Sequence, residues 1–134
     1  MRKRFETSTI ENELEFARQE VFDLQDEMNN AADNMPEQLN TWHADAAQLL
    51  DVALNYVYDC DTPSSLRDVE VTWPEWKGKI FRPQRRDNVV NFLRAYLAKI
   101  PRTDETERLR SDLQSAIEAL KNVFFPGMNG RRAA

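Results

Sequence analysis

The sequence predicts an all-α protein: an antiparallel bundle of four main helices with a short irregular or β-hairpin insertion at about residues 63–86. Three observations lead there. Glycine occurs only 3 times and proline 6 times in 134 residues, too few turn-formers for an all-β chain. Ile10, Leu14, Ala17, Val21, Leu24, Met28, Ala31 and Met35 are separated by steps of four and three, the 3.5-residue period of a coiled-coil-like helix with one buried seam. Pro36, Pro63, Pro101 and Pro126 fall between or after the periodic stretches, where proline interrupts a helix. With 41% hydrophobic and 31% charged residues, the chain can furnish one modest core. It reads as a single domain over 1–134, with 1–7 and 128–134 mobile.

The first helix starts at Ser8 or Thr9, either of which can cap it, with Glu11 and Glu13 near its positive end. It stops near Asn34, because a residue close before Pro36 is pushed out of the α region, and Pro36 suits the first turn of a new helical segment. The apolar seam requires a partner: either another helix of the same chain or, in a homodimer, a second copy. Phe16 and Phe22 lie about 120° to either side of the seam. The second helix spans about Thr41 to Asp59. Trp42, Ala46, Leu49, Ala53 and Tyr56 form one apolar stripe, and Ala47, Leu50, Leu54 and Val57 a second, leaving Asp45, Gln48, Asp51, Asn55 and Asp59 as a polar edge. So wide an apolar arc predicts a helix at the centre of the bundle.

Asp61-Thr62-Pro63-Ser64-Ser65 reads as a loop. Val69, Val71 and Trp73 alternate with polar residues like a short strand. Lys79-Ile80-Phe81 can pair with it, although a short helix capped by Thr72 fits nearly as well. A third helix runs from Asp87 to Ile100, with Val89, Val90, Leu93, Tyr96, Leu97 and Ile100 inward. The fourth runs from Thr103 to Phe125, with Leu109, Leu113, Ala116, Ile117, Leu120 and Phe124 inward.

Charge is unevenly placed. Net charge is −5, yet residues 1–62 hold 14 acids against 4 bases and residues 63–134 hold 9 acids against 14 bases. Such a chain can bind its own halves together or offer a basic surface to an anionic partner. The segment 73–102 carries the second option as a nucleic-acid surface. Lys77, Lys79, Arg82, Arg85 and Arg86 supply cations for phosphate, and Trp73 and Trp76 supply rings for base stacking.

Several chemistries are excluded by count. The lone Cys60 forms no intramolecular disulfide and no Cys-rich zinc site, and a reducing cytoplasmic setting follows. The lone His43 sits seventeen residues from Cys60 on the same helix, about 25 Å at 1.5 Å per residue, so no Cys–His pair forms. Three glycines build no phosphate loop. The basic start Met1-Arg2-Lys3-Arg4 is not followed by an apolar run, so no secretory signal is expected, and no membrane span either. The enzymatic reading left is carboxylate–magnesium chemistry on facing helices, a nucleotide hydrolase using Glu20 and Asp23 with Asp51. All three acids are expected to point to solvent, so no metal, cofactor or catalytic residue is assigned.

The segment Asp26-Glu27-Met28-Asn29-Asn30-Ala31-Ala32-Asp33-Asn34-Met35-Pro36-Glu37-Gln38-Leu39 resembles a helix–turn–helix hairpin of small accessory proteins from tailed bacteriophages and mobile elements. Those read roughly Glu-Met-x-x-Trp-x-Asp-Asn-x-Pro-Glu-x-Leu. Asp33, Asn34, Pro36, Glu37 and Leu39 match, and Ala31 stands where the tryptophan would be. The resemblance implies a phage-like origin and a helical hairpin, with no reaction attached. The expected function is therefore that of a small, non-enzymatic, cytoplasmic protein that binds a host or phage protein through an acidic helical surface. Phe16, Phe22, Glu20 and Asp23 are its contact residues. Nucleic-acid binding through 73–102 is the alternative and the hydrolase a third.

Overall fold

The computed structural model describes residues 7–37, 40–66, 69–72 and 81–125. Helix α1 (Ile10–Asp33) begins where the Asn12 N–H donates to the Thr9 hydroxyl at 3.2 Å and ends at Asn34. Its seam Ile10, Leu14, Ala17, Val21, Leu24 and Met28 is fully buried within the chain itself. Two seam residues fall elsewhere than expected. Ala32, not Ala31, continues the buried row, and Met35 is 36% exposed. A straight helix of 3.6 residues per turn drifts off a strict 3.5 repeat, and Met35 lies beyond the helix end.

Helix α2 (Thr41–Asp59) has the expected bounds. Asn40 ties its start to α1 by donating to the Ala32 carbonyl at 3.3 Å. Helix α3 (Arg82–Lys99) starts five residues before the expected Asp87. Pro83 suits its first turn, and the Phe81 N–H, left without an intrahelical partner, donates to Gln84 Oε1 at 3.1 Å. Inside α3, Phe92 is buried beside Tyr96, whereas Leu97 is only half-buried.

A 3₁₀ turn at Asp104–Thr106 leads into helix α4 (Glu107–Lys121), which ends before the expected Phe125. Phe125 precedes Pro126 and is biased away from α. From Val123 the chain alternates as extended backbone does: Val123 and Phe125 are buried, and Phe124 turns outward instead of joining the core. Arg86 holds this turn, donating to the Val123 carbonyl at 2.6 Å with its guanidinium 5.6 Å from the Phe125 ring.

The helices form a ring in which α1 and α4 each pack against both α2 and α3. Neighbours are antiparallel. Arg18 near the start of α1 donates to the Cys60 carbonyl at the end of α2, and Gln25 donates to Asp51. Arg82 at the start of α3 reaches Glu27 late in α1, and Arg110 of α4 reaches the Ile100 carbonyl beyond α3. Helices α2 and α3 therefore lie diagonally and run the same way, so the 60–81 connection must return the chain from one end of the bundle to the other. A ring of four has no central helix. Helix α2 buries Ala46, Ala47, Leu50, Ala53, Leu54 and Val57, while Trp42 stays 50% exposed.

The strand expected in the connection exists, with a different partner. Strand β2 (Glu70–Thr72) pairs antiparallel with β1 (Thr7–Thr9), in the register Thr7↔Thr72, Ser8↔Val71, Thr9↔Glu70. The Ile10 N–H extends the ladder by donating to the Val69 carbonyl at 2.8 Å. Thr7, within the terminal segment expected to be mobile, lies in β1 opposite Thr72. The proposed hairpin partner Lys79-Ile80 and the alternative helix after Thr72 lie outside the described residues, and Phe81 caps α3. Residues 1–6 and 128–134 also lie outside. No helix among the described residues is long and apolar enough to cross a membrane.

Candidate protein-contact surface

The four contact residues expected on α1 separate into two groups. Phe16 is half-buried against the core. Asp23, on the same flank, accepts from Gln19 Nε2 at 2.9 Å. Glu20 is buried and faces α3. Phe22 alone lies on the opposite flank, 46% exposed, on the α2 side with Arg18 and Gln25.

Glu20 belongs to an ion-pair cluster that absorbs two of the arginines expected to meet nucleic acid. Arg85 Nη2 lies 2.8 Å from Glu20 Oε1 and 2.9 Å from Glu27 Oε2, and Arg82 Nε lies 2.9 Å from Glu27 Oε1. Glu20 and Glu27 are two turns apart on α1, and Arg82 and Arg85 one turn apart on α3, so the pairs face each other across the antiparallel seam. Two arginines at a helix N-terminus oppose the helix dipole; the α1 carboxylates offset that. Arg86 is likewise held internally, by Val123 and by Asp87 at 2.8 Å. The expectation of an irregular basic segment around Arg82, Arg85 and Arg86 is thus replaced by the first turns of α3 packed on α1. Trp73, Trp76, Lys77 and Lys79 lie outside the described residues.

Burial pushes the Glu27 carboxyl up, but hydrogen bonds from Arg85 and Arg82, and their charges, outweigh it and hold the group below its ordinary 4.5. For Arg85, burial opposes the charged form and the two glutamates outweigh it, raising its pKa. A carboxylate with a lowered folded pKa stabilises the fold above its unfolded pKa. That contribution is lost as pH falls through the folded value. The thermal midpoint should therefore drop as pH is lowered below about 4.5. In Glu27→Gln the midpoint should be lower at pH 7 and the acid limb shallower; thermal melts from pH 7 to pH 3 check this.

The magnesium reading also changes. Glu20 does not point to solvent as expected; it is spent on Arg85, while Asp51 accepts from Gln25 at 3.0 Å. The three carboxylates do not converge, and the described residues contain no group of three or more acids, histidines or cysteines able to hold a metal ion. His43 occupies the first turn of α2 and Cys60 its C-cap, at opposite ends of one helix. The Cys60 thiol is pushed up to about 12 by burial, with Asp112 and Asp59 adding to the shift, so it stays protonated at neutral pH.

What the structure adds is a pair of clefts between α2 and α4, one near each end of α2. On the α2 surface between them Trp42, Leu49, Val52 and Tyr56 follow at steps of seven, three and four, Val52 standing outside both clefts among the polar-edge residues. Trp42 is 50% and Val52 41% exposed, and Leu49 and Tyr56 are half-buried. At one end Trp42, Leu49, Asn122 and Phe124 line a cleft of about 230 Å³, with the Trp42 and Phe124 rings edge-to-face at 5.7 Å. At the other end Asp59, Asp61, Glu105 and Asp112 line a cleft of about 350 Å³ with Arg108 and Leu109. Arg108 Nε is 3.7 Å from Asp112 Oδ2, beyond hydrogen-bond range. The sequence contained a signal for this surface: Val52 belongs to neither apolar stripe of α2 and sits among the polar-edge residues. Tyr58, equally outside both stripes, is 54% exposed on the α1 side, with the Arg18 guanidinium 5.5 Å from its ring.

Comparison of the chain with protein-family models, curated proteins and solved structures returned no match.

Proposed function

We propose that this chain is a small, non-enzymatic interaction protein that binds a protein partner through the acidic outer surface of α2. One observation carries the reading. Helix α2 is apolar beyond what the core uses: Trp42 and Val52 remain exposed among acidic residues, and Leu49 and Tyr56 between them are half-buried against the core. Aromatic and aliphatic side chains rimmed by charge are the usual make-up of a contact patch. The inward commitment of Arg82, Arg85 and Arg86 favours a protein over a nucleic acid as partner. The resemblance of 26–39 to phage and mobile-element hairpins sets the partner in a bacterial cytoplasm, as a host or phage protein.

The test is affinity capture from bacterial lysate with the full chain, with and without nuclease. Val52→Asp should abolish capture while leaving the thermal midpoint within a few degrees, because Val52 is exposed. Phe22→Ser tests the α1 flank separately. Capture that disappears with nuclease would replace this reading with the nucleic-acid one. Capture indifferent to both Val52→Asp and Phe22→Ser would reject the α2 surface and the α1 flank alike.

A further inference from the structure

Resting on that reading, we infer that the α2–α4 surface, from the Trp42–Phe124 cleft to the acidic cleft, receives one amphipathic helix from the partner, with its apolar stripe on α2 and its cationic end at Asp59, Asp61 and Asp112. The separation of the two clefts argues for a helix. Trp42 and Asp59 lie seventeen positions apart on α2, about 25 Å at 1.5 Å per residue. That matches a partner helix of similar length. The α2 side presents apolar residues at helical steps, the pattern that takes i, i+3, i+4, i+7 anchors from a docked helix. The α4 side offers Ser115 and Ala119, both partly buried, small enough for a third helix to approach closely.

Charge sets the sign and the direction. Among the described residues, four carboxylates, Asp59, Asp61, Glu105 and Asp112, line the cleft at one end with a single cation, Arg108, whereas the Trp42–Phe124 cleft is lined by one charged residue, Asp45. Across the whole of α1 and α2 the only Lys or Arg is Arg18, which is turned onto the Val57 and Cys60 carbonyls. A second copy presenting the same α2 surface would set acid against acid, so a basic partner is favoured over self-association. The occupant is therefore apolar along one stripe and carries Lys or Arg at the end that meets Asp61 and Asp112.

The probe is a 16-residue amphipathic peptide with leucines at i, i+3, i+4 and i+7 spacing and three lysines at one end. Its controls are a scrambled peptide of equal composition and a version with glutamates for lysines. Fluorescence anisotropy with the full chain should show the lysine peptide binding at least about tenfold more tightly than either control. Val52→Asp should weaken it by about tenfold, and Asp61→Asn with Asp112→Asn should weaken it and flatten its salt dependence. Phe22→Ser should leave it unchanged. Equal binding of the scrambled peptide, or indifference to Val52→Asp, overturns the inference. So does a concentration-dependent dimer in light scattering that Val52→Asp dissolves. If Val52→Asp abolishes lysate capture but the lysine peptide does not displace the captured protein, the helix inference fails while the protein-contact reading survives. If no capture depends on Val52, that reading fails first.

Discussion

Arg85→Met is expected to destabilise the fold by about 3–5 kcal/mol, the usual cost of removing one partner of a buried ion pair. Glu20 keeps only 10% of its side chain exposed and would be left with a charge facing α3 and no guanidinium to meet it. Glu27 would lose one of its two arginines and keep Arg82. For a domain of this size the change corresponds to roughly 10–20 °C in thermal midpoint. Adding Glu20→Leu should recover most of the loss, since replacing both members of a buried pair by apolar groups is often near neutral. A double-mutant cycle read by urea denaturation checks this. A single-variant loss under 1 kcal/mol would mean that Arg85 is solvated and the α1–α3 seam is not closed by this cluster.

Leu24→Asp is expected to be more severe. Leu24 is fully buried in the α1 seam, so the substitution removes an aliphatic side chain worth about 2–5 kcal/mol and puts a carboxylate in its place without a partner. Against a total stability of about 5–15 kcal/mol, cooperative unfolding should be lost at 37 °C. Leu24→Ala provides the graded control, with a loss of about 2–5 kcal/mol. Circular dichroism melts of both variants make the measurement. Light scattering on the wild type should give a concentration-independent mass near 15.7 kDa, because the seam is already covered by the chain's own helices.

Local features of the chain settled the helices. The α1 seam was legible because a buried helical face repeats every three or four residues, and Thr9 could be read as its cap because its hydroxyl serves a backbone N–H only three residues away. The bounds of α2 followed in the same way. The start of α3 is not legible locally, because Arg82 and Arg85 at a helix N-terminus oppose the dipole and are met by the glutamates of another helix.

The candidate surface was less legible. Phe16 and Phe22 were correctly placed on either side of the seam, but which side meets a neighbour depends on where α2 and α3 stand around α1. The apolar breadth of α2 predicts central burial, whereas in a ring of four each helix has two neighbours and Trp42 and Val52 are left at the surface. The sequence by itself determined four amphipathic helices, their approximate ends and a polarised charge distribution, because periodicity, capping and proline act over a few residues. Only the tertiary structure decided that β2 pairs with β1, that Arg82 and Arg85 close onto Glu27 and Glu20, and which apolar stripe stays exposed. Those contacts join residues 55 and 65 positions apart in the case of the ion pairs, and no local pattern encodes a partner at that distance.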